Sequence, residues 1–259
     1  MRIGIIGAGN MGGAIARGIA QTACHTVVVS SPNHRGELDA LKSQYPAISV
    51  STDNTDAVRG ADIIIIAVKP WLIDQVMDEL KPVINFDCQM LASVVAGVDL
   101  DHLASYAGNE SSPAVFRIIP NIAIAYGQSM TFIAAKNATE SQLNVFSGIF
   151  GSMGKVQIVE ERLMGAGTAL ASCGIAYAMR YIRAAMEGGI ELGFTADRSL
   201  EIVLQTISGA VAMLVNSGEH PEAAIDRVTT AGGITIRGLN AMERSGFTTA
   251  VIEGLKASK

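Results

Sequence analysis

Apolar positions along this chain follow two rhythms. Up to about residue 159, short unbroken apolar runs alternate with stretches where apolar residues recur every three or four positions. Runs at 2–6, 26–30, 61–68 and 90–95 suit buried strands, and 49–51 suits a short strand beside them. The patterns between them at 11–21, 36–44 and 75–81 suit helices, and β-rich segments return at 114–119, 130–134 and 155–158. Strands alternating with helices predict an α/β fold built on a doubly wound sheet. From about residue 160 the rhythm is helical, over 169–191, 197–216, 221–228 and 234–256, and no convincing strand pattern appears. The expected organisation is an N-terminal α/β domain over 1–159 followed by an all-helical domain over 160–259.

Composition narrows the function classes. The chain has 259 residues, of which 49% are hydrophobic and 17% charged, so it buries a core and is not a disordered segment. A net charge of -5 and the lack of any basic stripe offer nothing to nucleic acid or acidic membranes. The longest aliphatic run, 63–68, is too short to span a bilayer and no secretory pattern opens the chain. Cys24, Cys88 and Cys173 are scattered, odd in number and without metal-ligand spacing. A soluble cytoplasmic protein with reduced thiols is expected. The helical half is so rich in Ala, Gly, Met, Leu and Ile that about 100 residues alone cannot cover the apolar surface. A homodimer or larger symmetric oligomer through these helices is the economical expectation.

The first candidate chemistry is Gly7-Ala8-Gly9-Asn10-Met11-Gly12, which fits G-x-G-x-x-G between an apolar strand and an amphipathic helix. In such a Rossmann-type turn Gly7 permits the tight bend and Gly9 lets the backbone approach a pyrophosphate. Gly12 lets the helix pack close to the strand. The helix N-terminus then offers free N–H groups and a positive dipole end to phosphate. NAD sites usually carry an acidic residue at the end of the second strand, yet here the chain reads Val29-Ser30-Ser31-Pro32-Asn33-His34-Arg35. A carboxylate facing a 2′-phosphate at about 5 Å costs roughly 3 kcal/mol at an effective dielectric near 20. Ser30, Ser31, Asn33 and Arg35 in its place favour NADPH, with NADH as the weaker alternative.

Three further segments stand where ligands bind in such folds. Ala67-Val68-Lys69-Pro70 ends the central strand, and Pro120-Asn121 follows a later one. Thr229-Thr230-Ala231-Gly232-Gly233-Ile234-Thr235-Ile236 is a hydroxyl- and glycine-rich turn running into a helix. Together with the glycine motif these segments resemble the pyrroline-5-carboxylate reductase family, in the family's order and over essentially the whole chain. Ser93-Val94-Val95-Ala96-Gly97-Val98, Glu160-Glu161 and Gly218-Glu219-His220-Pro221 extend the resemblance.

The resemblance implies an enzyme that passes hydride from NADPH to the C=N bond of 1-pyrroline-5-carboxylate, giving L-proline. It implies that Thr230, Gly232, Gly233 and Thr235 bind the cyclic imine across a dimer, with Thr235 on the ring nitrogen. Asn121 would lie near the nicotinamide, and Ala67, Val68, Lys69 and Pro70 along the cofactor. Plain alternatives exist for each. Lys69 reads equally as a solvated loop lysine, Asn121 as an Asx-turn residue, and Thr230 and Thr235 as helix caps. Glu161 reads as a cap or surface carboxylate, and the four histidines as structural.

The chain departs from its family at two places. The family's S-G-S-G-P-A-Y is here Ala171-Ser172-Cys173-Gly174-Ile175-Ala176-Tyr177. The proline of its S/T-P-G-G-x-T turn is here Ala231, with the bulkier Ile234 before Thr235. Two other readings therefore stand: a reductase of a related cyclic imine, and a non-catalytic NADP-binding regulator. A β-hydroxyacid dehydrogenase, by contrast, needs a lysine in the helical half. After Lys155 this chain has only Lys256 and Lys259.

Overall fold

In the computed structural model, which describes residues 1–108 and 112–258, the four isoleucines Ile63–Ile66 are buried on both sides of a sheet. Each such side chain taken out of water contributes about 1.5–3 kcal/mol, which is why an unbroken apolar run becomes the central strand. The strands are β1 (Arg2–Ile6), β2 (Thr26–Ser30), β3 (Ser49–Ser51), β4 (Ile63–Ile66), β5 (Met90–Ser93), β6 (Val115–Ile119), β7 (Ser129–Lys136) and β8 (Gly154–Ile158). Their spatial order is β3-β2-β1-β4-β5-β6-β7-β8. All neighbouring pairs are parallel except β6 with β7. Because β1 and β4 are adjacent while the chain winds outward from each, the switch point of the sheet falls between their carboxyl ends.

Helices cover both faces. On one lie α1 (Asn10–Thr22) and α2 (Arg35–Gln44), sharing a core of Ile15, Ile19, Leu38, Leu41, Phe146 and Phe150. On the other lie α3 (Asn54–Val58), α4 (Ile73–Leu80) and α5 (Leu100–Ser105), with Val58, Met77, Leu80 and Leu103 buried beneath them. Phe146 and Phe150 belong to α6 (Glu140–Gly151). It opens with a capping box in which Thr139 Oγ1 accepts from the Gln142 N–H and Gln142 Oε1 accepts from the Thr139 N–H.

Packing carries the α/β unit to Ser172, beyond the change of sequence texture at 160. The reason lies in α7 (Met164–Gly167) and the segment around it. Met164 is completely buried in the second core, and Gly167 lies so close to the Phe132 ring that a Cβ there would approach it to 2.9 Å. Glu161 ties the same segment down. Its Oε1 accepts from the Leu100 N–H at 2.8 Å, capping α5 from a distance, and from Arg117 Nη1 at 3.3 Å. A π-helix, Thr168–Cys173, follows.

The remaining chain forms α8 (Gly174–Glu191), α9 (Ala196–Ser217), α10 (Pro221–Arg227), α11 (Ile234–Arg244) and α12 (Phe247–Ala257). The single helix expected over 234–256 is broken at Gly246, whose φ of +82° belongs to the left-handed region. Crossing of α8 and α9 is close because Gly189 has no side chain. Ser199 Oγ takes that space and donates to the Met186 carbonyl at 2.8 Å. Among the described residues of this unit Ser199 alone is buried, while Leu192, Val215 and Ile234 stand more than half exposed. By length and composition α9 is apolar enough to cross a membrane, a property the search for aliphatic runs did not reveal.

Candidate active site

The turn after β1 is held by two glycines, Gly7 and Gly12, at which an added side chain would meet backbone. The Gly7 N–H donates to the Ser30 carbonyl at 2.7 Å, fixing the turn to β2, and its φ is +112°. A Cβ at Gly7 would lie 2.5 Å from the Ala67 carbonyl oxygen. One at Gly12 would lie 2.0 Å from the Gly7 carbonyl oxygen and 3.1 Å from Ala67 Cβ. The turn, the first turn of α1 and the end of β4 are thus mutually locked. That brings Ala8, Asn10, Met11, Val68, Lys69 and Pro70 to one edge of the sheet with them.

Gly9 behaves differently. Nothing lies within 4 Å of where its Cβ would stand, so packing within the chain does not demand a glycine there. As N-cap of α1 it receives the Gly13 N–H at 2.8 Å. The N–H groups of residues 8–12 have no backbone acceptor outside the helix among the described residues. No acidic side chain stands in the first turn of α1. Bare donors, a helix dipole and open space over a glycine suit a pyrophosphate, so the residues present fit a dinucleotide.

At the end of β2 the four polar residues divide. Ser30 is completely buried and donates its hydroxyl to Asn54 Oδ1 at 3.0 Å, so the side chain expected to face the cofactor is turned into the protein. Ser31 is also buried and shares a 3.1 Å hydrogen bond with His34 Nδ1. Asn33 and Arg35 are exposed, and Arg35 opens α2. Beyond them Asp53 caps α3, where the Thr55 N–H holds its carboxyl below the usual carboxylate range.

Asn121 is 5% exposed, and its side chain is spent inside the unit. Oδ1 accepts from the Ala123 N–H at 3.1 Å and Nδ2 donates to the Ala171 carbonyl at 3.3 Å. It is the Asx-turn residue that opens the 3-10 turn Ile122–Tyr126. Ser172 Oγ donates to the Pro120 carbonyl at 3.1 Å, so the departed family motif at 171–177 is tethered to this loop through its first two residues. Lys69 is exposed, and its carbonyl accepts from the Leu72 N–H at 2.9 Å. Trp71, the chain's one tryptophan, stands 76% exposed beside Pro70.

The second glycine turn belongs to the helical unit. The Gly233 N–H donates to the Thr230 carbonyl at 2.9 Å, and Gly232 has φ of +70°. With Ala231 at negative φ this is a type II turn, whose third position requires glycine and whose second favours proline. Gly233 is the N-cap of α11 and has no side chain to satisfy the helix's first N–H groups. Thr230 Oγ1 lies over Gly233, where a Cβ would approach it to 2.7 Å. Arg237 Nη2 donates to the Gly232 carbonyl at 3.0 Å, a brace the sequence reading did not find.

Residues 161–259 match the pyrroline-5-carboxylate reductase dimerisation family, and residues 2–97 match a family described as NADP oxidoreductase, coenzyme F420-dependent. Pyrroline-5-carboxylate reductase 2 of Dictyostelium discoideum is 35% identical over 271 residues, covering 99% of this chain and 90% of that protein. The chain belongs to the pyrroline-5-carboxylate reductase family. Pyrroline-5-carboxylate reductase of Pisum sativum is 34% identical, with 99% and 93% of the two chains covered. Against the longer pyrroline-5-carboxylate reductase 1 of Dictyostelium discoideum, also 35% identical, this chain spans 48% of the length. The crystal structure of Plasmodium falciparum pyrroline carboxylate reductase with NADP bound has a TM-score of 0.89 at 27% identity, covering 100% of this chain and 95% of that one. Membership in this reductase family accounts for the uncovered apolar helices, because residues 161–259 match its dimerisation domain.

Proposed function

We propose that this chain reduces the C=N bond of 1-pyrroline-5-carboxylate to give L-proline, using NADPH, as a cytoplasmic homo-oligomer. Family membership supports the reaction, and the observation that carries it in this chain is the type II turn at 230–233. The turn is fully closed although Ala231 replaces the family's proline, and it runs into α11 with bare N–H groups. That arrangement suits the carboxylate of the substrate.

Residues 7–12 would hold the pyrophosphate of NADPH, and Asn33 and Arg35 its 2′-phosphate. Bound NADPH supplies a hydride. The chain's own residues have positioning work to do, because a protonated imine is already electrophilic. Gly232 and Gly233 let the backbone close on the carboxylate. Thr235, in the first turn of α11, would keep a hydrogen bond on the ring nitrogen, which leaves the reaction carrying its proton. Asn121 serves by fixing the loop beside the sheet edge through Ala123 and Ala171.

Purified protein mixed with NADPH and 1-pyrroline-5-carboxylate should lose the near-ultraviolet absorbance of the reduced nicotinamide and accumulate proline. Tight NADPH binding with no such loss, across several cyclic imines, would leave the non-catalytic regulator standing. The turn makes a further prediction. Ala231→Pro is expected to stabilise the protein by about 0.4–1 kcal/mol, because proline suits that position of a type II turn and restricts the unfolded chain. A raised melting temperature with KM for the imine equal or lower is the expected result. A lowered one would mean that Ala231 is held at a φ proline cannot adopt.

A further inference from the structure

One face of α1 has a use beyond the dinucleotide turn. Asn10, Ala14, Arg17 and Gln21 form a stripe along it, the floor of a groove of about 520 Å³. One wall is Ile122, Ala125 and Tyr126, and the other is Gln44 and Tyr45 at the end of α2. Gln21 Nε2 donates both to Tyr45 Oη and to the Ala125 carbonyl, each at 3.2 Å, so a fixed amide bridges the two walls.

Arg17 is the unexplained group. It is half-buried, and its guanidinium lies across Gly13, where a Cβ would sit 3.4 Å from Nη1. It has no ion-pair partner among the described residues, and no carboxylate lines the groove. A guanidinium stays charged, and its planar fork matches a carboxylate through two parallel hydrogen bonds. Tyr45 Oη accepts from Gln21, which leaves its own proton to donate into the same space. Around these donors the lining is Ala14, Ile122, Ala125 and the tyrosine rings.

We infer that this groove is a binding site for a small monocarboxylate with an apolar body, held by Arg17 and Tyr45 on the outer face of α1. A single guanidinium balances one negative charge, which favours a carboxylate over a phosphate dianion. The inference does not depend on the proposed reaction, and its test uses no turnover.

The probe is benzoate, with benzamide as its uncharged counterpart, titrated by calorimetry and ligand-observed NMR into the full-length protein with and without saturating NADPH. Benzoate should bind with a dissociation constant on the order of millimolar. NADPH should change that value no more than severalfold, because Asn10 at one end of the groove is the lining residue it shares with the dinucleotide turn. Benzamide should not bind. Arg17→Met should weaken benzoate by about tenfold to a hundredfold, the usual worth of hydrogen bonds to a charged group. Tyr45→Phe should weaken it severalfold and supplies the test should Arg17→Met fail to fold. The site is refuted by no benzoate binding at tens of millimolar, by equal binding of benzamide, or by an unchanged affinity in both variants. Displacement by NADPH would likewise refute it, assigning the groove to the dinucleotide cleft.

Discussion

Gly12→Ala is expected to weaken NADPH binding by about five- to 150-fold and to lower the melting temperature as well. The added Cβ would meet the Gly7 carbonyl oxygen at 2.0 Å, and both partners are backbone or immobile, so the turn itself must move. Overpacking of this kind costs about 1–3 kcal/mol of stability; where the displaced turn must be pulled back to receive NADPH, that energy comes off binding at about tenfold per 1.4 kcal/mol. Gly9→Ala separates the two effects. Its Cβ enters open space, so the melting temperature should hold while NADPH affinity falls, because the space taken is the ligand's own. Fluorescence titration of NADPH against both variants, beside thermal melts, reads this directly. Wild-type affinity in Gly9→Ala would show that the pyrophosphate does not approach the chain there.

Thr235→Ala is the other large effect. Its hydroxyl sits in the first turn of α11, next to the N-cap Gly233, where the proposed carboxylate site begins. A protonated ring nitrogen donates its N–H to the Thr235 oxygen, and losing a hydrogen-bond partner of a reacting atom costs up to roughly 2.7–4 kcal/mol where the transition state depends on it. A protonated ring nitrogen sheds its positive charge on reduction and develops no negative charge as an oxyanion does, so a smaller fall in kcat, about tenfold to a hundredfold, is expected. NADPH affinity should not change, and Thr235→Ser should restore most of the rate. Parallel losses in kcat and NADPH affinity would contradict the role given to Thr235, and so would full activity in the alanine variant.

Where one rhythm dominates a segment, the sequence already spells out the element. Strands β1, β2 and β3 fall where the apolar pattern put them. Helix α6 was missed although Leu143, Phe146 and Phe150 recur at helical spacing after a polar start. The Thr139 and Gln142 capping box was the signal that marks it. Helices α3 and α5 are too short for a period and are set by aspartate caps, Asp53 and Asp99. The break between α11 and α12 is a single glycine at positive φ, and sequence alone does not say which glycine will take that role.

The candidate site was legible in a similar, uneven way. The glycine turn and the Lys69-Pro70 loop fall at strand ends of the sheet, because backbone demands at Gly7 and Gly12 are written in residue type. Side-chain direction was not written there. Ser30 and Asn121 carry polar groups suited to a ligand, yet both spend them on Asn54, Ala123 and Ala171. A hydroxyl or an amide satisfies a neighbour as readily as a cofactor, and only the packed chain shows which.

Ser199, the one buried residue among the described residues of the helical unit, has a consequence for how this protein holds together. A unit with so little interior of its own draws its cohesion from chains other than itself. Its resistance to heat then depends on abundance, rising as protomers become more numerous and falling on dilution by mass action. In such a protein folding and encounter are parts of one equilibrium.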